Sequence, residues 1–358
     1  MEEGKLIKAL VVDDAAFMRK QLVDVLSRSG DIEVVAVARH GLEALEAIKT
    51  VNPDVVTLDV DMPVMDGLTT IKHIMVKNPV PVVMVSGLAD QGRITFEALR
   101  LGAIDFFPKP SGTISRDIKD KSEELIRTLK LAAGANPKAI KRAISRVDKK
   151  YLEQSHKSKG VYGTVLILAR QGSVSSFIRL MTALKGMDNV GLVCIQDISE
   201  TVLKAYGKEL DNVFNCIPFT GKPTSMRAGR WVLISEANLP DMRMSKDDFS
   251  MEFSGGLPSL TSFVGRFADR YGKRLCLVVL GGQLPADISF LDKVLTTDGQ
   301  VLCLDPEKCA CSQFPQFIKE KGIGYTVASE TELWERIRGF SRRLLLEDSK
   351  HDQTGDNP

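Results

Sequence analysis

Three aspartates, a serine and a lysine carry the chemistry this sequence offers. Asp13 and Asp14 follow the apolar run ALVV, Asp59 follows VVTL, Ser86 ends PVVMVS, and Lys109 stands in FFPKPSG. Carboxylates gathered at one point repel each other strongly. A hard divalent cation relieves that conflict, and Mg²⁺ takes octahedral oxygen ligands while keeping several waters. Such an ion also shields an incoming phosphoryl group from the surrounding acids. Asp59 is then free to attack as a nucleophile and form an acyl phosphate. Lys109 supplies a cation to a phosphoryl oxygen, and Ser86 a hydroxyl donor. Phe106, just before Lys109, is an aromatic able to change rotamer when Ser86 moves. Taken singly, Asp13–Asp14 read as turn residues, Ser86 as a strand cap and Lys109 as surface charge. Their order after successive strands argues for one site.

The elements that must position them alternate. Strands are expected at Leu6–Val12, Ile32–Ala38, Val55–Leu58, Val80–Ser86 and Ala103–Phe106, with helical patterns between them such as Phe17–Ser27 and Leu42–Thr50. Short apolar strands alternating with helices imply a parallel sheet covered on both faces. In the common five-strand order, strands one and three are neighbours where the order reverses. Side chains at their carboxyl ends then converge on one crevice. That places Asp13, Asp14 and Asp59 together.

After an amphipathic helix over Ser115–Ala133, the stretch Gly134–Gly160 is basic and poor in large apolar residues, which predicts a solvated linker. Alternation resumes with strands at Thr164–Ala169, Gly191–Gln196, Arg230–Ser235, Leu275–Leu280 and Val301–Leu304. The matching helices are Val174–Leu184, Thr201–Leu210, Leu257–Tyr271, Ala286–Leu295 and Glu330–Leu346, with a β-hairpin near Asp241–Phe253. The expected organisation is a domain over 1–112, a helix and basic linker over 113–160, a second α/β domain over 161–346, and a disordered tail over 347–358. Both domains are expected to be doubly wound parallel-sheet folds, the first flavodoxin-like.

Composition fits this organisation: 358 residues are too many for one core, with 44% hydrophobic and 26% charged. A formal net charge of +2 gives no argument for nucleic-acid or acidic-membrane binding. No apolar run spans a bilayer, and the opening MEEGKLIKALVVDD lacks a signal peptide's hydrophobic segment, so a cytoplasmic location is expected. The six cysteines all lie after residue 190. They are expected to be reduced thiols. Cys303, Cys309 and Cys311 are the one tight group, without a nearby histidine to complete a zinc site.

Residues 5–110 resemble a two-component receiver domain on the stretches VVDDAAFMR, PDVVTLDVDMPVMDGL, PVVMVSGL and GAIDFFPKPSG. The PKPSG ending and VTLDVDMP phrasing are most similar to the receiver of the chemotaxis protein-glutamate methylesterase family. The resemblance implies that Asp59 takes phosphate from a histidine kinase. It implies Mg²⁺ held by Asp14, Asp59 and the main-chain carbonyl of Asp61, with Asp13 nearby, and Ser86 with Phe106 as a switch pair.

That family joins its receiver to an α/β esterase domain, which residues 161–340 resemble more faintly. Setting VLILARQGS, VGLVCIQDI and CLVVLGGQLPAD against the family's motifs puts Arg170 at the serine position, Asp197 at the histidine position and Ala286 at the aspartate position. Asp287 lies one residue along. An arginine stays protonated and is no nucleophile. Of four histidines (His40, His73, His156 and His351), none lies between Val161 and Leu346. A Ser-His-Asp set therefore cannot be built within that domain. A Ser-Lys dyad from Ser254 or Ser259 with Lys273 has no spacing to recommend it.

The expectation is a phosphorylation-controlled regulator whose output domain binds proteins rather than cleaving bonds. Its partners would be a histidine kinase and chemoreceptors or other chemosensory-complex proteins, with no nucleic acid and no membrane insertion. By analogy with the family, phosphorylation would expose a binding face around Arg170, Asp197 and the 281–287 turn. The alternatives are an active protein-glutamate methylesterase or glutamine deamidase with a non-standard site, a phosphate sink, and a DNA-binding regulator, which the output sequence disfavours by lacking helix-turn-helix spacing.

Overall fold

A computed structural model describes residues 6–87, 91–109, 117–136, 139, 161–184, 186–244, 251–254 and 258–354. The chain divides into two compact units, Met1–Arg146 and Val147–Pro358. Each is an α/β fold on a parallel sheet.

In the first unit strands and helices alternate: β1 (Ile7–Val12), α1 (Ala16–Ser27), β2 (Ile32–Ala38), α2 (Gly41–Val51), β3 (Val55–Asp59), α3 (Gly67–Lys77), β4 (Val82–Ser86), α4 (Gln91–Leu101), β5 (Asp105–Pro108) and α5 (Asp117–Ala133). The sheet order is β2-β1-β3-β4-β5, all parallel. Strands β3 and β4 are buried along their whole length, which is why VVTLD and VVMVS lack the alternation of a half-exposed strand. Strand order reverses between β1 and β3. Val12 pairs with Leu58 there, so Asp13 and Asp59 leave their strands at the same level.

The start of α3 is held against that level. Asp66 caps the helix, accepting from the Thr69 backbone N–H at 2.7 Å and its hydroxyl at 3.0 Å. Gly67 donates to the Val60 carbonyl at 2.8 Å. A Cβ at Gly67 would lie 2.1 Å from the Asp59 carbonyl oxygen. Only glycine permits so close an approach of helix to strand end.

The second unit contains β6 (Gly163–Ala169), α6 (Val174–Ala183), β7 (Val190–Gln196), α7 (Glu200–Phe214), β8 (Cys216–Pro218), β9 (Thr224–Ser225), β10 (Trp231–Ser235), β11 (Asp241–Met244), β12 (Met251–Ser254), α8 (Leu260–Tyr271), β13 (Leu275–Gly281), α9 (Ser289–Thr296), β14 (Gln300–Leu304), α10 (Gln313–Lys321), β15 (Tyr325–Val327) and α11 (Glu330–Thr354). Seven strands form a parallel sheet in the order β15-β14-β13-β6-β7-β10-β8, and β11-β12-β9 form a small antiparallel sheet that includes the expected hairpin. Its order reverses between β6 and β13. Phe253, Phe263 and Phe267 are fully buried within one apolar cluster that also takes in Leu166, Val193 and Leu277 from the large sheet.

Several boundaries differ from expectation for local reasons. The fifth strand runs over Asp105–Pro108 rather than Ala103–Phe106. Gly102, at φ +109°, closes α4, and Ala103 still donates to the Ala98 carbonyl at 3.0 Å. Pro108 is tolerated because β5 is an edge strand. Helix α8 begins at Leu260, three residues later than the apolar pattern suggested, because Ser259 accepts from the Ser262 N–H at 3.1 Å and caps it. Helix α9 likewise starts at Ser289, after Asp287 turns the chain. The last helix continues through Thr354, well into the tail expected to lack structure. The sequence after Leu346 is polar but has no Gly or Pro until Gly355 to stop a helix. Most of the basic stretch 134–160 lies outside the described residues, as does His156.

Candidate functional site

The carboxyl ends of β1 and β3 bring three acids together. One carboxylate oxygen from each of Asp13, Asp14 and Asp59 lies within 4.8 Å of the others. Asp13 and Asp59 are buried, at 0% and 2% exposure, while Asp14 faces solvent. The buried pair is bridged by Lys109, whose Nζ lies 2.8 Å from Asp13 Oδ2 and 2.7 Å from Asp59 Oδ2. The remaining oxygens are held by backbone: Ala15 N–H donates to Asp13 Oδ1 at 2.9 Å, and Val60 N–H to Asp59 Oδ1 at 2.7 Å.

These contacts set the electrostatics. Burial pushes the Asp59 carboxyl above its ordinary range, partly offset by the hydrogen bond and charge of Lys109. Burial by itself would lower the Lys109 ammonium. Hydrogen bonds and charge from Asp13 and Asp59 outweigh it and hold Lys109 above its usual value. The site is thus a cation clamped between two buried acids, with a third acid at its mouth.

Ser86 ends β4 and is 4% exposed, and Phe106 on β5 is equally buried. Ser86 pairs with Pro108, and its carbonyl accepts from the Lys109 N–H at 2.7 Å. That bond ties the loop carrying Lys109 to the strand carrying Ser86. Asp61 follows the strand end, with its side chain in solvent.

In the second unit an ion pair stands at the carboxyl end of β6, beside the reversal between β6 and β13. Arg170, immediately after β6, is 9% exposed. Its Nε and Nη2 donate to the two carboxylate oxygens of Glu236 at 2.7 and 2.9 Å, and its Nη1 donates to the Gln283 carbonyl. Gly282, at φ +109°, lies under the arginine stem: a Cβ there would come within 2.4 Å of Arg170 Cβ. The polar atoms of Arg170 are therefore satisfied by Glu236 and the 281–287 turn.

The other two aligned positions lie at the same end of the sheet: Ala169 pairs with Gln196, so Asp197 leaves β7 level with Arg170, and Ala286 is three residues after Gln283. Asp197 follows β7 and is partly exposed, and Ala286 is exposed. Asp287 turns the chain just before α9, accepting from the Ser289 N–H at 2.9 Å and its hydroxyl at 2.8 Å. Those hydrogen bonds, the backbone one foremost, hold its carboxyl below the ordinary range. Ser259 and Lys273 flank α8, twelve residues long and so ~18 Å from end to end, and do not form a dyad. All six cysteines are free and buried.

Two contributors escaped sequence reasoning. Glu236 was signalled only indirectly: an arginine at a buried strand end needs a carboxylate. Arg19, within VVDDAAFMR, folds back on the turn carrying Asp13 and Asp14. Among the described residues no helix is long and apolar enough to cross a membrane.

Residues 9–117 match the response regulator receiver domain family. A protein-glutamate methylesterase/protein-glutamine glutaminase 2 of Carboxydothermus hydrogenoformans is 37% identical over 213 residues, covering 58% of this chain and 60% of the relative. The corresponding protein of Geobacillus kaustophilus is 52% identical over 137 residues, covering 38% of this chain and 39% of its own. The response regulator domain of Thermotoga maritima CheB is 44% identical at a TM-score of 0.35, covering 37% of this chain and all of that domain. The chain thus spans at most about 60% of the length of these full-length relatives. It carries a receiver domain and is related to protein-glutamate methylesterases.

Proposed function

We propose that this chain is a phosphorylation-controlled response regulator of a chemotaxis-like phosphorelay, with Asp59 as phosphoacceptor and a non-catalytic output unit. The observation that carries the reading is the convergence of Asp13, Asp14 and Asp59 on one point, with Lys109 bridging the two buried acids. In the reaction an Asp59 oxygen attacks phosphorus and forms the acyl phosphate. The bond to the donor breaks, and the donor leaves with its electron pair. A histidine kinase is the proposed physiological donor and a small acyl phosphate its substitute in vitro.

The acids fit Mg²⁺. They offer hard oxygens within one coordination sphere, and exposed Asp14 leaves room for retained waters. Asp13, Asp14, Asp59 and the Asp61 carbonyl would hold the ion, which when bound shields the carboxylates from the entering phosphoryl group. Lys109 neutralises the buried pair beforehand and offers its ammonium to a phosphoryl oxygen afterwards. Ser86 donates its hydroxyl to another, and Phe106 follows the movement of Ser86.

For the output unit, the missing histidine and the Arg170–Glu236 pair support loss of ester hydrolysis. Protein contacts, with chemoreceptors or chemosensory-complex proteins in the cytoplasm, are then its role. The relatives' names favour the second reading, an active methylesterase or glutaminase with a non-standard site. One experiment addresses both readings. The full chain with Mg²⁺ and acetyl phosphate should gain one phosphoryl group that Asp59→Asn does not, and should release no methanol from methylated chemoreceptors. Unchanged labelling of the variant refutes the receiver reading, and phosphodonor-stimulated methanol release establishes the second.

A further inference from the structure

We infer that Arg19 is a positioning residue for the divalent-cation site, fixing the turn that presents Asp13 and Asp14. The assignment rests on the proposed use of those acids to hold Mg²⁺. Arg19 lies in the first full turn of α1, where its own N–H donates to the Ala15 carbonyl at 3.0 Å. Its side chain turns back instead of extending into solvent. A single nitrogen, Nη1, donates to the main-chain carbonyl of Asp13 at 2.7 Å and to that of Asp14 at 2.8 Å. Both are short, charge-assisted bonds.

The two carbonyls need such a donor. They belong to the residues between the end of β1 and the start of α1, where neither ladder nor helix fixes the peptide planes. The Asp13 N–H is held by the Ala38 carbonyl at 3.1 Å and the Asp13 carboxylate by the Ala15 N–H at 2.9 Å. For Asp14, the exposed acid, the peptide that carries its carbonyl is held at both ends, by Arg19 on the oxygen and by the Asp13 carboxylate on the Ala15 N–H, and Arg19 is the restraint that comes from outside the turn. Rotating that peptide swings the Asp14 carboxylate away from Asp13 and Asp59. Arg19 thus supplies for Asp14 the restraint that burial supplies for the other two.

Two effects of removing Arg19 oppose each other. Losing a positive charge near three carboxylates strengthens cation binding, whereas losing the double bond to the turn weakens it. Arg19 touches carbonyls and not carboxylates, and it is half-exposed, so its charge is heavily screened. Geometry should prevail, because a chelating site loses steeply when one of three ligands is no longer held in place. Arg19→Ala should raise the Mg²⁺ concentration for half-saturation by about five- to tenfold. Since one nitrogen makes both bonds, Arg19→Lys should restore most of the affinity.

The test is a titration of the full chain with Mg²⁺ by calorimetry, repeated with Mn²⁺ by electron paramagnetic resonance, for wild type, Arg19→Ala and Arg19→Lys. Thermal unfolding without metal and the Mg²⁺ dependence of acetyl phosphate labelling accompany it. The expected pattern is weakened binding in the alanine variant, recovery in the lysine variant, and a labelling rate that approaches wild type at saturating Mg²⁺. Arg19→Ala binding as tightly as wild type, or more tightly, overturns the assignment while leaving the acidic site intact. So does a loss that lysine fails to restore and that tracks a fall in thermal stability. A wild-type chain that binds neither cation overturns the site reading itself, and this one with it.

Discussion

Replacing Arg170 by methionine keeps an apolar stem over Gly282 but deletes the charge. Three hydrogen bonds go with it, two to Glu236 and one to the Gln283 carbonyl. Glu236 is left behind with its side chain only 19% exposed, and the Arg170 side chain it loses is 10% exposed. Removing one partner of a fully buried pair costs about 3–5 kcal/mol. Residual hydration at Glu236 discounts that to about 2–3 kcal/mol. For a domain of this size the melting midpoint falls about 2–4 °C per kcal/mol, so a drop of about 5–10 °C is expected. Both tryptophans of the chain, Trp231 and Trp334, lie in the second unit. Trp231 is 2% exposed, so tryptophan emission during denaturant unfolding reports that unit and not the receiver. A cycle with Glu236→Gln and the double variant isolates the pair, and a coupling of about 1.5–2 kcal/mol is expected. A coupling under about 0.5 kcal/mol, or a methionine variant as stable as wild type, would refute the claim that this pair holds the second unit together at the end of β6.

Two predictions concern the receiver. Because burial raises the Asp59 carboxyl in the folded state, that state holds its proton more tightly than the unfolded chain. Stability without metal should therefore fall as pH rises from the ordinary aspartate range through the raised value. Asp59→Asn should remove that decline and melt higher than wild type at neutral pH. Differential scanning calorimetry in chelator checks this, and an identical pH slope in both proteins would contradict it. Gly67→Ala forces a Cβ to within 2.1 Å of the Asp59 carbonyl oxygen. It should destabilise the receiver by about 1–3 kcal/mol and slow labelling by about tenfold or more. A variant with wild-type labelling and stability would show that α3 can retreat from β3 freely.

How much of this was legible in the sequence differs between the two units. In the first, Asp13, Asp59, Ser86 and Lys109 each follow a short, mainly apolar strand sequence, so strand ends place them at one edge of a sheet. Register then does the rest: Val12 opposite Leu58 makes the acids level. In the second, the runs again locate the strands, and the lack of a histidine between Val161 and Leu346 is read directly from the chain. The partner of Arg170 was not legible. Glu236 follows a strand more than sixty residues after Arg170, and nothing in local spacing links them. The burial of Arg170 depends on that pairing, which the chain alone does not disclose. Arg19 was hidden for a related reason. An arginine on the first turn of an amphipathic helix reads as solvated charge, and its return onto two carbonyls is a property of rotamer and turn geometry. Helix starts at Leu260 and Ser289 were displaced by the Ser259 cap and the Asp287 turn, which override apolar periodicity.

The central claim is that Asp59 becomes an acyl phosphate, and the bond itself can be trapped. Borohydride reduces an aspartyl phosphate to homoserine, so the full chain treated with acetyl phosphate and Mg²⁺, reduced and digested, can be mapped by mass spectrometry. Homoserine at position 59, dependent on both Mg²⁺ and phosphodonor, is the predicted result. Conversion at Asp13, at Asp14 or nowhere, in a chain that remains folded, would contradict it.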